Sequence, residues 1–239
     1  MIRKSAGKIV GINRKGRIVS LPPKLEAEAR RLPLSCFLMD GEAIGEQFIA
    51  FDLLEADEPD FRSRMYWHRF RDLLGVLSQA EKQNGGLRYI RPVETWFKPE
   101  QKPQGLKWLH EIRAEGAVLK CIEAPFRPGR NGQHFKNKFV KSCTCKVIAK
   151  DRKDAAKGQN SVALGLLNAK GEWVQVGHAS AIGKTFLPPD PVGVLTEVTY
   201  LYATEASRLY QARLAGIRTD VRESDCTMNQ LIFIAEVDG

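Results

Sequence analysis

The chain has 239 residues, 43% hydrophobic and 27% charged, a balance that suits one large or two smaller globular domains. Its apolar runs, such as Val162 to Leu167 and Leu231 to Ala235, are far shorter than the roughly 20 residues a membrane-spanning helix needs, and no apolar stretch follows Met1-Ile2-Arg3-Lys4, so neither a membrane span nor a signal peptide is expected. The net charge of +9 is clustered, with nine Lys/Arg against two acids between Arg3 and Arg31 and twelve against four between Arg113 and Lys157, which points to two basic walls facing a polyanion without separating nucleic acid from nucleotide or acidic protein.

In chain order, Lys8 to Asn13 predicts a strand turned at Lys15-Gly16, and Lys24 to Arg31 a short helix after Pro22-Pro23. Cys36 to Ile44 and Gln47 to Leu54 predict a hairpin turned at Gly45-Glu46. Phe61 to Lys82 has helical spacing, with Met65, Phe70, Leu73, Leu74 and Leu77 on one face, and ends at Asn84-Gly85-Gly86. A strand over Leu87 to Val93, a helix over Pro103 to Ala114 and a strand over Ala117 to Ile122 follow. Past Lys141 the pattern is strand after strand: Cys143 to Ala149, Ser161 to Leu167, Glu172 to Gly177, Val194 to Tyr202 and Leu231 to Val237. Asn168-Ala169-Lys170-Gly171 is a hairpin turn between two of them. Five strands in such a length suit a small closed barrel, of which the OB-fold is one type. The domain boundary is expected near Lys141.

The five cysteines, Cys36, Cys121, Cys143, Cys145 and Cys226, are odd in number and irregular in spacing. They suggest neither a disulfide framework nor a four-ligand zinc site, and fit a reducing cytoplasm. Cys143-Thr144-Cys145 is read as a strand whose thiols point to opposite faces.

Four short segments carry the chemistry. Asp40 and Glu42 sit two apart on a strand and share a face, with Gly41 giving close backbone access. Glu115 opens another strand that Lys120 continues, and Lys136 and Lys138 again share a face. Carboxylates with paired lysines suit a metal–phosphate ligand, the acids holding Mg²⁺ and the lysines phosphate oxygens. Phe48 and Phe51 offer flat surfaces for a base. Taken singly each segment is ordinary, since an Asp-Gly pair is usually a turn and a phenylalanine in an apolar strand is usually core. Their order is informative.

In that order, Arg14-Lys15-Gly16, Asp40-Gly41-Glu42, Phe51-Asp52, Glu115-Gly116 through Lys120, and Lys136-Asn137-Lys138 resemble the nucleotidyltransferase motifs of ATP-dependent DNA ligases, a superfamily shared with RNA ligases and mRNA capping enzymes. Glu197-Val198-Thr199-Tyr200 and Gly216-Ile217-Arg218-Thr219-Asp220 resemble the late strand and closing Arg-x-Asp of the family's OB domain. The resemblance implies an α+β architecture: an N-terminally truncated nucleotidyltransferase (ATP-grasp-like ligase) domain over residues 1–141, then a β-barrel OB-fold domain over 142–239. It implies that Glu42 holds the ribose of AMP, Phe51 stacks on adenine, Glu115 and Asp40 bind Mg²⁺, and Lys120, Lys136 and Lys138 meet phosphate. Arg218 and Asp220 orient pyrophosphate, and Arg14, Lys15, Arg17 and Lys141 contact DNA. The implied substrates are ATP and nicked double-stranded DNA, handled by a monomer without membrane attachment. The implied setting is a bacterial or phage cytoplasm, at the nucleoid. Glu42, Glu115, Lys136 and Lys138 are expected to gather around a single mononucleotide phosphate, under an aromatic lid from Phe51.

Two features depart from the family. Its Lys-x-Asp-Gly motif, whose lysine carries AMP, has no counterpart upstream of Arg14; Lys4 and Lys8 are not followed by x-Asp-Gly. The closing Arg-x-Asp is followed by Val221 and Arg222 where the family has lysine. The expectation is that the missing motif ends just before Met1 and that self-adenylylation is lost while the third step, sealing of pre-adenylylated nicks, survives. The other readings are a degenerate nucleotide- or DNA-binding ligase fragment, an RNA ligase or capping-type enzyme, and a plain basic β-rich binding module.

Overall fold

The structure, a computed structural model, describes residues 1–58, 61–129, 132–151 and 161–233. The chain divides into two compact units along different lines from a single cut at Lys141. One comprises Met1–Pro99 and Val118–Phe135, the other Glu100–Ala117 and Lys136–Gly239. Among the described residues no helix is long and apolar enough to cross a membrane.

The first unit is a six-stranded sheet in the order β3-β2-β1-β4-β5-β6. Its strands are β1 (Ile2–Ser5), β2 (Lys8–Ile12), β3 (Ile18–Val19), β4 (Phe37–Ile44), β5 (Gln47–Glu55) and β6 (Ile90–Pro92). All neighbours are antiparallel except β5 and β6. The turn between β4 and β5 falls at Gly45, whose φ of +59° suits a residue without Cβ. Helices α1 (Pro23–Arg30) and α2 (Tyr66–Asn84) belong to this unit. The buried stripe of α2 is Tyr66, Arg69, Phe70, Leu73, Leu77 and Ala80, at the three- and four-residue spacing of one helix face. Met65 and Leu74, expected on that face, are exposed, because the helix starts at Tyr66 and its face is turned toward Arg69. Gly85 ends α2 in the left-handed conformation, as Asn84-Gly85-Gly86 predicts.

Glu28 on α1 is 2% exposed, and its carboxylate accepts the backbone N–H groups of Arg88, Tyr89 and Ile90 at 2.8, 2.7 and 2.6 Å. It thereby fixes where β6 begins, since three amides at that distance satisfy a buried carboxylate. Periodicity gave no sign of this role.

The second unit contains α3 (Lys102–Glu111) and a five-stranded antiparallel sheet in the order β11-β10-β9-β12-β13. Its strands are β9 (Lys141–Asp151), β10 (Ser161–Leu167), β11 (Trp173–Ser180), β12 (Leu195–Tyr200) and β13 (Arg213–Ile217). Asn168 accepts the N–H groups of Lys170 and Glu172 at the β10–β11 turn, where Gly171 has φ +77°. The expected closed barrel is not closed by a strand ladder: no β11–β13 pairing joins the edges among the described residues. The sheet curls instead, and Leu209 donates its N–H to Val176 O on β11 at 2.7 Å, giving a partly open barrel of the OB kind. The strand expected over Leu231–Val237 falls largely outside the described residues; within them Phe233 bridges Ala203 in parallel. β13 was not signalled by the sequence.

Cys143, Cys145 and Cys226 are buried in this second core. The first two do not face opposite ways: residues two apart on a strand share a face, and their Sγ atoms lie 3.6 Å apart. Strands β7 (Gly116–Lys120) and β8 (His134–Lys138) form a separate two-stranded ribbon.

Candidate functional site

In the first unit, β4 and β5 slip register between Asp40 and Gly41. Asp40 faces Asp52 and Gly41 faces Ala50, so Phe51 is the extra residue of a bulge. Bulges re-aim side chains, and Phe51 is half-buried while its neighbours Ala50 and Asp52 are buried. Gly41 is required here: a Cβ would fall 2.4 Å from Ile49 O and from the Phe48 ring. Phe48 is therefore core, at 1% exposure, and not a base platform. Asp52 forms a two-pronged ion pair with Arg69, at 2.9 and 2.8 Å, and both are buried.

Lys120 lies against this bulge. Its Nζ donates to Phe51 O at 3.3 Å and sits 4.2 Å from the centre of the Tyr66 ring and 5.7 Å from that of Phe51. Burial pulls its ammonium below the ordinary lysine range, against the pull of Asp52 and Asp40. His134 on the ribbon is lowered by burial and then by Lys120, and the sequence did not single it out. Asp40 is half-buried and Glu42 exposed.

Burial raises the Asp40 carboxyl, outweighing the nearby terminal ammonium and Lys120. Because the folded value lies above the unfolded one, the cost of the charge is present in full above the folded value and vanishes below the unfolded value near 3.9. Asp40→Asn is therefore expected to raise the melting temperature at pH 7. Melting the variant and the native chain from pH 7 to pH 3 checks this: the gain should disappear through the carboxylate range, and a loss of stability at pH 7 would contradict it.

Asn13 shapes the basic turn. Its Oδ1 accepts the N–H of Lys15 at 2.9 Å and of Arg17 at 3.1 Å, leaving Arg14, Lys15 and Arg17 exposed around Gly16.

In the second unit, Phe139 donates its N–H to Glu115 O at 2.9 Å. Gly116 lies so close to the facing chain that a Cβ would fall 2.2 Å from Asn137 O. The Glu-Gly pair thus has a steric cause: glycine lets the two segments close, and Glu115 reaches Lys138, with Oε1 and Nζ 2.8 Å apart. Lys138 also donates to Gln211 Oε1 at 3.2 Å. Lys136 and Lys138 share a face, as their spacing predicts. Both line a cavity of about 250 Å³ with Val140, Thr199, Gln211 and Arg213. The sequence did not signal Gln211 or Arg213, which sit just before and at the start of the unexpected β13. Lys141 turns its amine to Phe139 O at 3.2 Å, and burial followed by Arg113 lowers it.

Arg218 and Asp220 grip each other through two hydrogen bonds of 2.7 and 2.8 Å, and the guanidinium holds the Asp220 carboxyl below the usual range. Among the described residues, no three His, Cys, Asp or Glu side chains gather as a metal site. Glu115 and Lys138 are brought together with Lys136 in the second unit. Asp40, Phe51 and Lys120 neighbour one another in the first.

No protein-family profile matches the chain. In sequence it is 29% identical over 166 residues to DNA ligase C2 of Mycolicibacterium smegmatis, a match covering 66% of this chain and 44% of that protein. The chain thus spans less than half the length of the curated relative it matches. In structure it resembles a Lig E DNA ligase studied for DNA binding with a minimal scaffold, with TM-score 0.62, 17% identity and coverage of 91% of this chain and 88% of that one. It also resembles a mycobacterial DNA ligase D complexed with ATP, with TM-score 0.50, 21% identity and coverage of 94% and 87%.

Proposed function

We propose that this chain, whose fold is that of the ATP-dependent DNA ligases, forms the core of an enzyme that seals nicks in double-stranded DNA using ATP. The chemistry is transfer of AMP to the 5′-phosphate of the nick, then attack of the 3′-hydroxyl on that phosphate with release of AMP. The observation that carries this reading is the convergence of Glu115, Lys136 and Lys138 in the second unit, two of them in direct contact and the lysines on one cavity. Phosphoryl transfer needs little beyond positioning and charge neutralisation, and paired ammonium groups beside a carboxylate supply both.

In this reading Lys136 and Lys138 neutralise the phosphate of AMP, and Lys120, at the edge of the Phe51 bulge in the first unit, has a phosphate-contact role. Phe51 takes the adenine face and Glu42 the ribose, while Arg218 and Asp220 orient pyrophosphate. Arg14, Lys15, Arg17 and Lys141 hold the DNA backbone. Glu115 fits a magnesium ion: its carboxylate is half exposed and one lysine is its ion-pair partner among the described residues. Mg²⁺ usually takes only one or two protein carboxylates beside phosphate oxygens, a number that Glu115 or Asp40 would meet within its own unit. Bound there, the ion supplies charge neutralisation of phosphate oxygens.

The chain holds no Lys-x-Asp-Gly, so the test supplies DNA that is already adenylylated at the nick. With Mg²⁺ and no ATP, the chain is expected to join it. A chain that binds the nicked duplex yet never joins it is a binding protein, and the ligase reading is then wrong.

A further inference from the structure

The bulge at Phe51 leaves that residue without a ladder partner opposite it, and its carbonyl is taken by side chains from two other elements. Tyr66, at the start of α2, donates its hydroxyl to Phe51 O at 3.1 Å, and Lys120, at the end of β7, donates its ammonium to the same oxygen at 3.3 Å. The two donors also meet each other, since Lys120 Nζ lies 4.2 Å from the centre of the Tyr66 ring. One phenol thus touches the bulge with its polar end and the ammonium with its flat face.

Tyr66 is itself firmly held. It is 4% exposed, its N–H donates to Ala124 O at 2.9 Å, and its ring packs against Phe70 with centres 5.8 Å apart. The Arg69 guanidinium sits 5.8 Å from the Tyr66 ring centre, and Arg69 is fixed in turn by Asp52, the residue after Phe51. Burial raises the Tyr66 hydroxyl above its ordinary range and Asp52 raises it further, so it keeps its proton and stays a donor. Packing alone calls for a ring at this place. It does not call for a hydroxyl set on the carbonyl of the one residue whose side chain the bulge re-aims.

We propose that Tyr66 is a positioning residue of the nucleotide site: its hydroxyl fixes the angle at which Phe51 meets a purine base, and its ring fixes the Lys120 ammonium against the same bulge. The proposal rests on the adenine-stacking role of Phe51 in the reading above. Tyr66 touches no substrate in this scheme. It acts through the Phe51 main chain, as a buried support that holds a contacting side chain in its productive geometry.

The experiment uses the whole chain and two probes. One is 2-aminopurine riboside 5′-monophosphate, whose fluorescence is quenched when the base stacks on an aromatic ring; the other is ribose 5-phosphate, which has no base. The native chain should quench the first at saturation, and Phe51→Ala should remove most of that quenching. Tyr66→Phe keeps the ring and removes the hydroxyl. It is expected to weaken binding of the purine probe about two- to tenfold, the range for one lost hydrogen bond, and to reduce the quenching per bound probe. Ribose 5-phosphate affinity, read by calorimetry, should stay within about twofold, since the ring under Lys120 remains. Lys120→Met, which removes the other donor to Phe51 O, should weaken both. A role in packing alone would lower the melting temperature and leave quenching at saturation unchanged, and that result in Tyr66→Phe overturns the proposal. So does an equal fall in affinity for the two probes. A native chain that binds ribose 5-phosphate yet quenches no purine probe overturns the adenine-stacking reading of Phe51 itself, whatever Tyr66→Phe shows.

Discussion

Arg69→Met is expected to lower the unfolding free energy of the first unit by about 3–5 kcal/mol, the usual cost of removing one partner of a buried ion pair. Arg69 is 1% exposed and Asp52 2%. The guanidinium reaches both oxygens of Asp52 and also donates to Arg64 O and Ala124 O. Its loss strands the Asp52 carboxylate with the Leu53 N–H as its remaining hydrogen bond among the described residues. A buried charge left in that state costs far more than the two side chains gain from being paired. The matching double substitution, Asp52→Leu with Arg69→Met, removes both charges and is expected to recover much of the loss. Urea unfolding of the single and double variants checks both statements, and a single-variant loss below about 1 kcal/mol would show that water or neighbouring groups satisfy Asp52. The pair also bears on function, because Asp52 follows the bulged Phe51 directly. The ion pair anchors α2 to the strand that aims the aromatic ring.

Lys138→Ala is expected to slow joining of pre-adenylylated nicks by about 10²–10³-fold, the range seen when one preorganised donor to a developing phosphoryl or acyl charge is removed. Lys138 is held from two sides, with Glu115 at 2.8 Å and Gln211 at 3.2 Å, and lines the cavity. Its ion pair with Glu115 is half-exposed and contributes only ~0–1 kcal/mol to stability, so the loss of rate cannot be a loss of fold. Single-turnover joining with protein in excess reads the chemical step directly. A rate within about threefold of the native chain would remove Lys138 from the machinery. Lys141→Ala, whose amine already answers to a main-chain carbonyl, should fall much less.

The sequence showed the parts whose cause is local. The turn at Gly45-Glu46, the stop at Gly85 and the hairpin at Asn168 to Gly171 depend on a few adjacent backbone angles, and each appears where the residues place it. The shared face of Lys136 and Lys138 follows from strand geometry alone. What stayed hidden depends on pairs distant in the chain. The Phe51 bulge arises from register between two strands, so neither strand announces it. Glu28 is ordinary on a short helix until three amides some sixty residues later meet it. Arg213 lies on a five-residue strand with weak alternation, and its place beside Lys136 comes from the order in which the barrel strands pair. Met65 and Leu74 on the expected face of α2 misled for a related reason: a buried arginine occupies a position that a count of apolar residues reads as solvent.

The thiols offer a way to watch the two cores separately. Cys36 and Cys121 belong to the first unit and are half-buried or exposed, whereas Cys143, Cys145 and Cys226 are sealed in the second. A thiol-labelling reagent counted by mass would therefore time the opening of the barrel by the arrival of three late adducts, with no engineered probe and no change to the chain.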